Sequence, residues 1–375
     1  MESPDQPPGA EPGDRYRARR PWWTFAIPYA GNVPSLTHKQ WSVLGLLALA
    51  ELFEQYDAGL MGLALSQIQI GLGIPEDQIA GVTAVVRIGA LLAFGISVLA
   101  DRFGRRRLLL LTILGFTACT FGTGFVQNEE QFVAMQLLAR MFITGETMLA
   151  VVVLSEELAA KDRGWGIGLL GALGALGHGL AAGVFAFVDV MPFGWRSLYL
   201  IGVVPLLFLA YFRRRLPETR RFEEHRKLQT GSGLSAGLRP IVQLARMYPG
   251  RVAMLAAALV PFDFVVGTAY TFMPKTLQEV HGYSPGGVTA LFLIGGGLGI
   301  LGNVVAGQAG DRFGRKPVVV TAMLVNLASI LAFYNTSGYA TPVAWIGAIF
   351  SILAIGVLFK ALGTELFPTS HRSTA

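Results

Sequence analysis

Only one cysteine, Cys119, occurs in 375 residues, which excludes a disulfide framework and a cysteine-based metal site. It lies in an apolar run and is read as inert. Charge is scarce too: 14% of residues are Asp, Glu, Lys or Arg, against about 25% in soluble domains. No G-x-x-x-x-G-K-[ST] phosphate loop is present, which argues against ATP-driven pumping. Neither a metal-ligand cluster nor a nucleophile–base constellation stands out, so no metal, no cofactor and no enzymatic activity are expected. Residues 1–40 are polar and Pro-rich, and they lack the apolar stretch and small-residue cleavage site of a signal peptide.

What is abundant is apolar surface. Hydrophobic residues make up 53% of the chain and the mean hydropathy is +0.51. Apolar runs of about 18–25 residues, enough to span a bilayer as helices, recur at 41–65, 79–100, 107–126, 131–155, 165–188, 196–212, 251–275, 286–309, 317–335 and 342–363. The 46 glycines fall largely inside these runs. Tracts such as Gly171 to Gly179 and Gly295-Gly296-Gly297 are therefore read as helix-packing surfaces, not nucleotide loops. The expected fold is all-α and polytopic: a disordered tail (1–40), six helices (41–212), a hydrophilic central loop (213–250) and four helices (251–375).

Placement of the basic residues sets the topology. Lys and Arg concentrate on the cytoplasmic side of membrane proteins. With the N-terminus inside, 25 of the 30 Lys and Arg residues fall in the tail and on the loops of that side, and two, Arg196 and Lys275, on the other. Arg87, Arg140 and Lys360 lie within the runs. This placement accounts for the net charge of +6 without a nucleic-acid partner.

A repeat is also visible. SVLADRFGRRR (97–107) follows the second apolar run and GQAGDRFGRKP (307–317) follows the eighth, 210 residues later. Related halves joined by a polar loop are a known transporter architecture, with the substrate site between them near the midplane. The pattern G-x-x-x-D-R-x-G-R-[RK] resembles the signature loop of the major facilitator superfamily. Gly307, Asp311, Arg312, Gly314, Arg315 and Lys316 match it fully. Asp101, Arg102, Gly104, Arg105 and Arg106 match it in the first copy, where Ser97 replaces the first Gly. Three more segments resemble family elements in the right order: Glu156 to Gly164 with Arg163, Leu216-Pro217-Glu218-Thr219, and Glu365 to Thr369 followed by Arg372. The family carries twelve helices, so the eleventh and twelfth have no counterpart here, and the chain is expected to be a fragment or a truncated product.

Charges inside the runs carry the chemistry, because each costs roughly 2.5–3.5 kcal/mol at the bilayer centre. Glu54 and Asp57 sit three residues apart on one face of the first run. Low dielectric and a like-charged neighbour suit Asp57 to taking up and releasing a proton. Glu54-Gln55-Tyr56-Asp57 and Gly145-Glu146 resemble elements of metabolite:proton symporters, while Tyr56-Asp57-x-Gly59 is shared with sugar porters. Arg140 is expected to pair with Asp57 when that acid is ionised, or to neutralise Glu146 or a first-run acid permanently. Arg87 is either a charge partner or a bidentate anchor for an anionic substrate. Asp263, beside Phe262 and Phe264, is a candidate for substrate or a second proton. Lys360 is read as snorkelling to the interface, and His178 as a packing residue. Asn303 and Asn326 are read as helix–helix hydrogen bonds.

For the repeated loops, the resemblance implies gating. Asp101 would meet the start of an eleventh helix and Asp311 the start of the fifth, near Gly164 and Trp165, while the loop arginines pair with Glu156 and Glu157. The expected function is proton-coupled symport of a small polar metabolite of organic-acid type, by alternating access, in the cell membrane. A sugar porter, drug efflux, and a non-transporting sensor or inactive product remain as alternatives. The expected partners are a small-molecule substrate, protons and lipid, and the chain is expected to act as a monomer.

Overall fold

A computed structural model describes residues 33–159, 162–214 and 246–366. Among them every regular element is helical: α1 His38–Leu63, α2 Leu65–Leu72, α3 Ile79–Phe103, α4 Arg105–Thr123, α5 Glu129–Glu157, α6 Arg163–Phe185, α7 Trp195–Arg213, α8 Pro249–Glu279, α9 Pro285–Phe313, α10 Arg315–Asn335 and α11 Ala340–Leu366, with a 3-10 turn at Val188–Val190. Eight of these are long and apolar enough to cross a membrane. The other two of spanning length, α1 and α4, carry the acids Glu51, Glu54 and Asp57 and the run Arg105-Arg106-Arg107 respectively.

The helix ends follow local chemistry. Thr37 and Gln40 form a reciprocal capping box at the start of α1. Asn128 caps α5, whose first turn carries Glu129 and Glu130 where the helix dipole favours anions. The first apolar run extends beyond its expected end at 65. After a break at Ala64 it continues as α2 and stops at Gly73, in the left-handed region (φ 66°). The repeated loop is a repeat of backbone as well as of sequence. Gly104 (φ 94°, ψ 147°) and Gly314 (φ 89°, ψ 145°) join α3 to α4 and α9 to α10 with the same turn, one an L side chain rarely adopts.

Packing is closest where glycine removes side chain. A Cβ on Gly177 of α6 would overlap the Leu52 carbonyl of α1, and one on Gly89 of α3 the Leu137 carbonyl of α5. Large apolar side chains such as Leu91, Leu111, Phe208 and Leu324 stay exposed on the outer faces, a surface suited to lipid rather than water. The Gly104 and Gly314 loops share one end of the bundle, called the basic end below. The α2–α3 and α8–α9 connections lie at the opposite end.

Candidate functional site

Three layers of charged and polar side chains run through the bundle. The middle layer contains Asp57 and Arg140. Asp57 is buried and accepts a hydrogen bond from Thr120 Oγ1 of α4 (3.2 Å). It lines one small pocket together with Met61, Val86, Gln136 and Arg140. The expected Asp57–Arg140 pair does not form as a direct contact. Arg140 shares the pocket but makes no ion pair with Asp57 or with any other described residue. It stands in the field of Arg87, Asp57 and Asp263. Arg87 reaches across to α8 and donates to the Gly267 carbonyl, to Thr271 Oγ1 (2.6 Å) and to Thr268 Oγ1 (3.4 Å). Asp263 lies one turn from Gly267 toward the basic end and is exposed.

The layer toward the basic end corrects two expectations. Glu146 is not the partner of Arg140. It forms an ion pair with Arg213, and both side chains are almost fully buried. Arg213, placed in the central loop by its position after an apolar run, is instead the last residue of α7 and donates to the Leu109 carbonyl (3.3 Å). Glu54 is not the like-charged neighbour of Asp57. It is buried beside Glu146, Glu51 and Arg213, with its carboxyl facing that of Glu146. Glu51 accepts from Gln55 Nε2 (2.8 Å) and Thr147 Oγ1 (3.3 Å). Three carboxylates and one guanidinium thus share one closed cluster.

Among the gating residues, Arg105 pairs with Glu156 (3.3 Å), Lys39 with Glu157 (3.5 Å), and Arg163 Nε donates to the Leu158 carbonyl (3.2 Å). Arg106 donates to the Arg214 carbonyl (2.6 Å) and Arg312 stacks over Phe313. Asp311 does not reach the start of α6. It is exposed and pairs with Arg315 one turn on (3.5 Å). No heavy atom lies within 4 Å of a Cβ built on Gly164. Gly307 of the second loop has open surroundings, while Gly310 packs against Leu358. The side chains of Asp101, Arg102 and Lys360 and the segments 216–219 and 367–372 lie outside the described residues. His178 bonds the Gly174 carbonyl (3.3 Å) as a packing residue. Asn326 ties Tyr270, Ala348 and Ser351 together, whereas Asn303 Oδ1 is buried without a partner.

The opposite end holds a latch that sequence reasoning missed. Lys275 of α8 bonds Glu76 of the α2–α3 connection (2.9 Å) and Glu279 one turn on. Ser66 donates to Glu279 (2.6 Å), and Gln278 meets Gln67 (2.6 Å) and the Leu63 carbonyl (3.2 Å). Thr289 of α9 donates to the Ala182 carbonyl of α6 (2.6 Å). The Lys275–Glu279 spacing of four was a readable signal; the partner across the halves was not. These bonds, with those of Arg87, join the first six-helix set to the second. The Gln69 amide, and next the Lys275 ammonium, hold the Glu76 carboxyl below the usual carboxylate range. A depressed acid keeps its contribution above its ordinary value and loses it as pH falls through the depressed one. Spin labels at Ile70→Cys and Val280→Cys, both exposed, should therefore keep one distance through neutral pH and spread only as the pH falls below the ordinary carboxylate range. Glu76→Gln should spread them at every pH.

Comparison with known proteins follows from this geometry. The family model described as Major Facilitator Superfamily matches residues 47–375. The chain is 26% identical over 333 residues to a probable 4-methylmuconolactone transporter of Cupriavidus pinatubonensis, covering 86% of this chain and 75% of that one. It is 26% identical to a gallate transporter of Pseudomonas putida, covering 89% and 80%, and 26% identical to a niacin transporter of Acinetobacter baylyi, covering 89% and 81%. Among solved structures, a D-xylose-proton symporter superposes with a TM-score of 0.73 at 18% identity, covering 89% and 84%. The inward-open xylose transporter XylE of E. coli gives 0.70 at 17%, covering 89% and 85%.

Proposed function

The chain belongs to the major facilitator superfamily, and from that premise we propose that it moves a small organic acid together with a proton across the cell membrane by alternating access. It is a multi-pass membrane transporter and not an enzyme. The observation that carries the finer reading is the shared pocket of Asp57 and Arg140, in which the guanidinium has no ion-pair partner among the described residues. A half-buried arginine with no carboxylate beside it can take a substrate carboxylate in a bidentate pair. The middle layer holds two arginines, Arg87 and Arg140, and two acids, Asp57 and Asp263. It is neutral with both acids ionised, and stays neutral when a monoanion arrives with a proton on Asp57. One proton per monocarboxylate avoids leaving a net charge in low dielectric. The relatives named for methylmuconolactone, gallate and niacin make aromatic and ring-derived acids the substrates to try first.

Ten spans follow if α1 and α4 cross as well, their acids and arginines facing partners rather than lipid. The positive-inside asymmetry then puts the basic end, the N-terminus, tail 1–40 and the central loop between α7 and α8 in the cytoplasm. The halves meet at that loop, the first ending with α7 at Arg213 and the second starting with α8 at Pro249, and act within a monomer. The Lys275 latch closes the external side, so substrate and proton leave from the cytoplasmic side in this state. Reopening exchanges that latch for contacts of the Asp101 and Asp311 loops.

The test is uptake of labelled 4-hydroxybenzoate and glucose into membrane vesicles under an imposed pH gradient. Gradient-dependent uptake of the acid alone is expected. Gradient-dependent uptake of glucose alone would replace the organic-acid reading with a sugar porter. Uptake of the acid that ignores the gradient would remove the symport.

A further inference from the structure

Arg87 bears a full charge, yet every hydrogen bond it makes goes to a neutral acceptor on α8: the Gly267 carbonyl, Thr271 Oγ1 and Thr268 Oγ1. Charges inside a membrane protein pair with an opposite charge or with backbone carbonyls; Arg87 takes the second course, and no carboxylate of a described residue lies within ion-pair distance of it. The α8 surface is shaped to receive it. Gly267 presents no side chain, and a Cβ there would stand 3.2 Å from Arg87 Nη1. Thr271 already donates to the same carbonyl (2.9 Å) and presents its oxygen to the guanidinium as well. Arg87 thus ties α3 of the first half to α8 of the second at the depth of the Asp57–Arg140 pocket, whose wall includes its neighbour Val86.

Building on the carboxylate reading above, we propose that Arg87 is the second arm of the substrate site, docked on α8 when the site is empty and drawn off it by the substrate carboxylate. Arg140 supplies the fixed arm. A carboxylate offers two charged acceptors in the planar geometry of the guanidinium, a stronger bond than a carbonyl and a hydroxyl provide. Its arrival removes the mid-depth tie between the halves. The Lys275 latch is then the main remaining tie, so substrate loading lowers the barrier to exchanging access. The empty carrier, with Arg87 docked, is held back.

The proposal gives two variants opposite signs. Thr271→Val removes a resting acceptor and leaves the arm, so the substrate competes with less. Arg87→Gln keeps a donor toward the Gly267 carbonyl but removes the charge. With the purified full chain, equilibrium binding of 4-hydroxybenzoate and of its neutral amide is measured by calorimetry. Arg87→Gln is expected to raise the Kd of the acid roughly 10- to 100-fold and to leave the amide unchanged. Thr271→Val is expected to lower the Kd of the acid about two- to fivefold. A merely structural strut predicts that both variants shift binding the same way and alter acid and amide alike; that result overturns the proposal while the carboxylate reading stands. If the unaltered chain binds no carboxylate, the carboxylate reading itself is lost and the proposal with it.

Discussion

Asp57→Asn abolishes uphill accumulation and spares exchange: that is the expected result for a carboxylate that carries the coupled proton. Asn is isosteric, and its amide oxygen can still accept from Thr120 Oγ1, which donates to Asp57 here. The fold should survive, since the Arg213 cluster and the Lys275 latch involve other residues. What is lost is a site that alternates between charged and neutral opposite Arg140. A two-unit pH gradient can sustain about 100-fold accumulation through one coupled proton, at about 1.4 kcal/mol per factor of ten. In the variant that ratio should fall to about one, while counterflow of labelled against unlabelled acid, which needs no net proton movement, continues. Accumulation at the unaltered level would clear Asp57 of the coupling role.

Arg213→Met should have the largest effect on stability. Arg213 is the cation of a buried cluster containing Glu146, Glu54 and Glu51. Removing one partner of a buried pair leaves an uncompensated charge and costs about 3–5 kcal/mol. Thermal melting of the detergent-purified protein should show a marked loss. Adding Glu146→Gln should recover part of it, because the carboxylate paired directly with Arg213 then needs no counter-charge. Arg214→Ala, one residue on at an exposed position, should change stability by about 0.5 kcal/mol or less. Equal effects at 213 and 214 would refute the cluster account.

The difference between 213 and 214 shows where the sequence stops being informative. Hydropathy places Arg213 at the end of a run, beside Arg214 and Arg215, and nothing local separates the three. Only the packing of α7 against α4 and α1 turns the first inward to Glu146 of α5 and the Leu109 carbonyl of α4. Glu54 and Asp57 teach the same lesson. Three residues on a helix are offset by about 60° of rotation, enough to send one side chain to the Glu146 cluster and the other to Thr120 and the Arg140 pocket. The repeated loop was legible because its constraint is local: Gly104 and Gly314 share one positive-φ turn. The intramembrane charges were legible as chemistry, since polar groups are expensive there. Their pairing was not, because it is decided between helices far apart in sequence, as with Arg87 and Gly267 or Lys275 and Glu76.

The central claim is that the acid enters with a proton held at Asp57. Its most direct measurement uses proteoliposomes with a pH-sensitive dye trapped inside and no imposed gradient, to which 4-hydroxybenzoate is added. The account predicts substrate-dependent acidification of the lumen for the unaltered chain and none for Asp57→Asn. Transport of labelled acid without any change in lumenal pH, or the same acidification in both proteins, would contradict it.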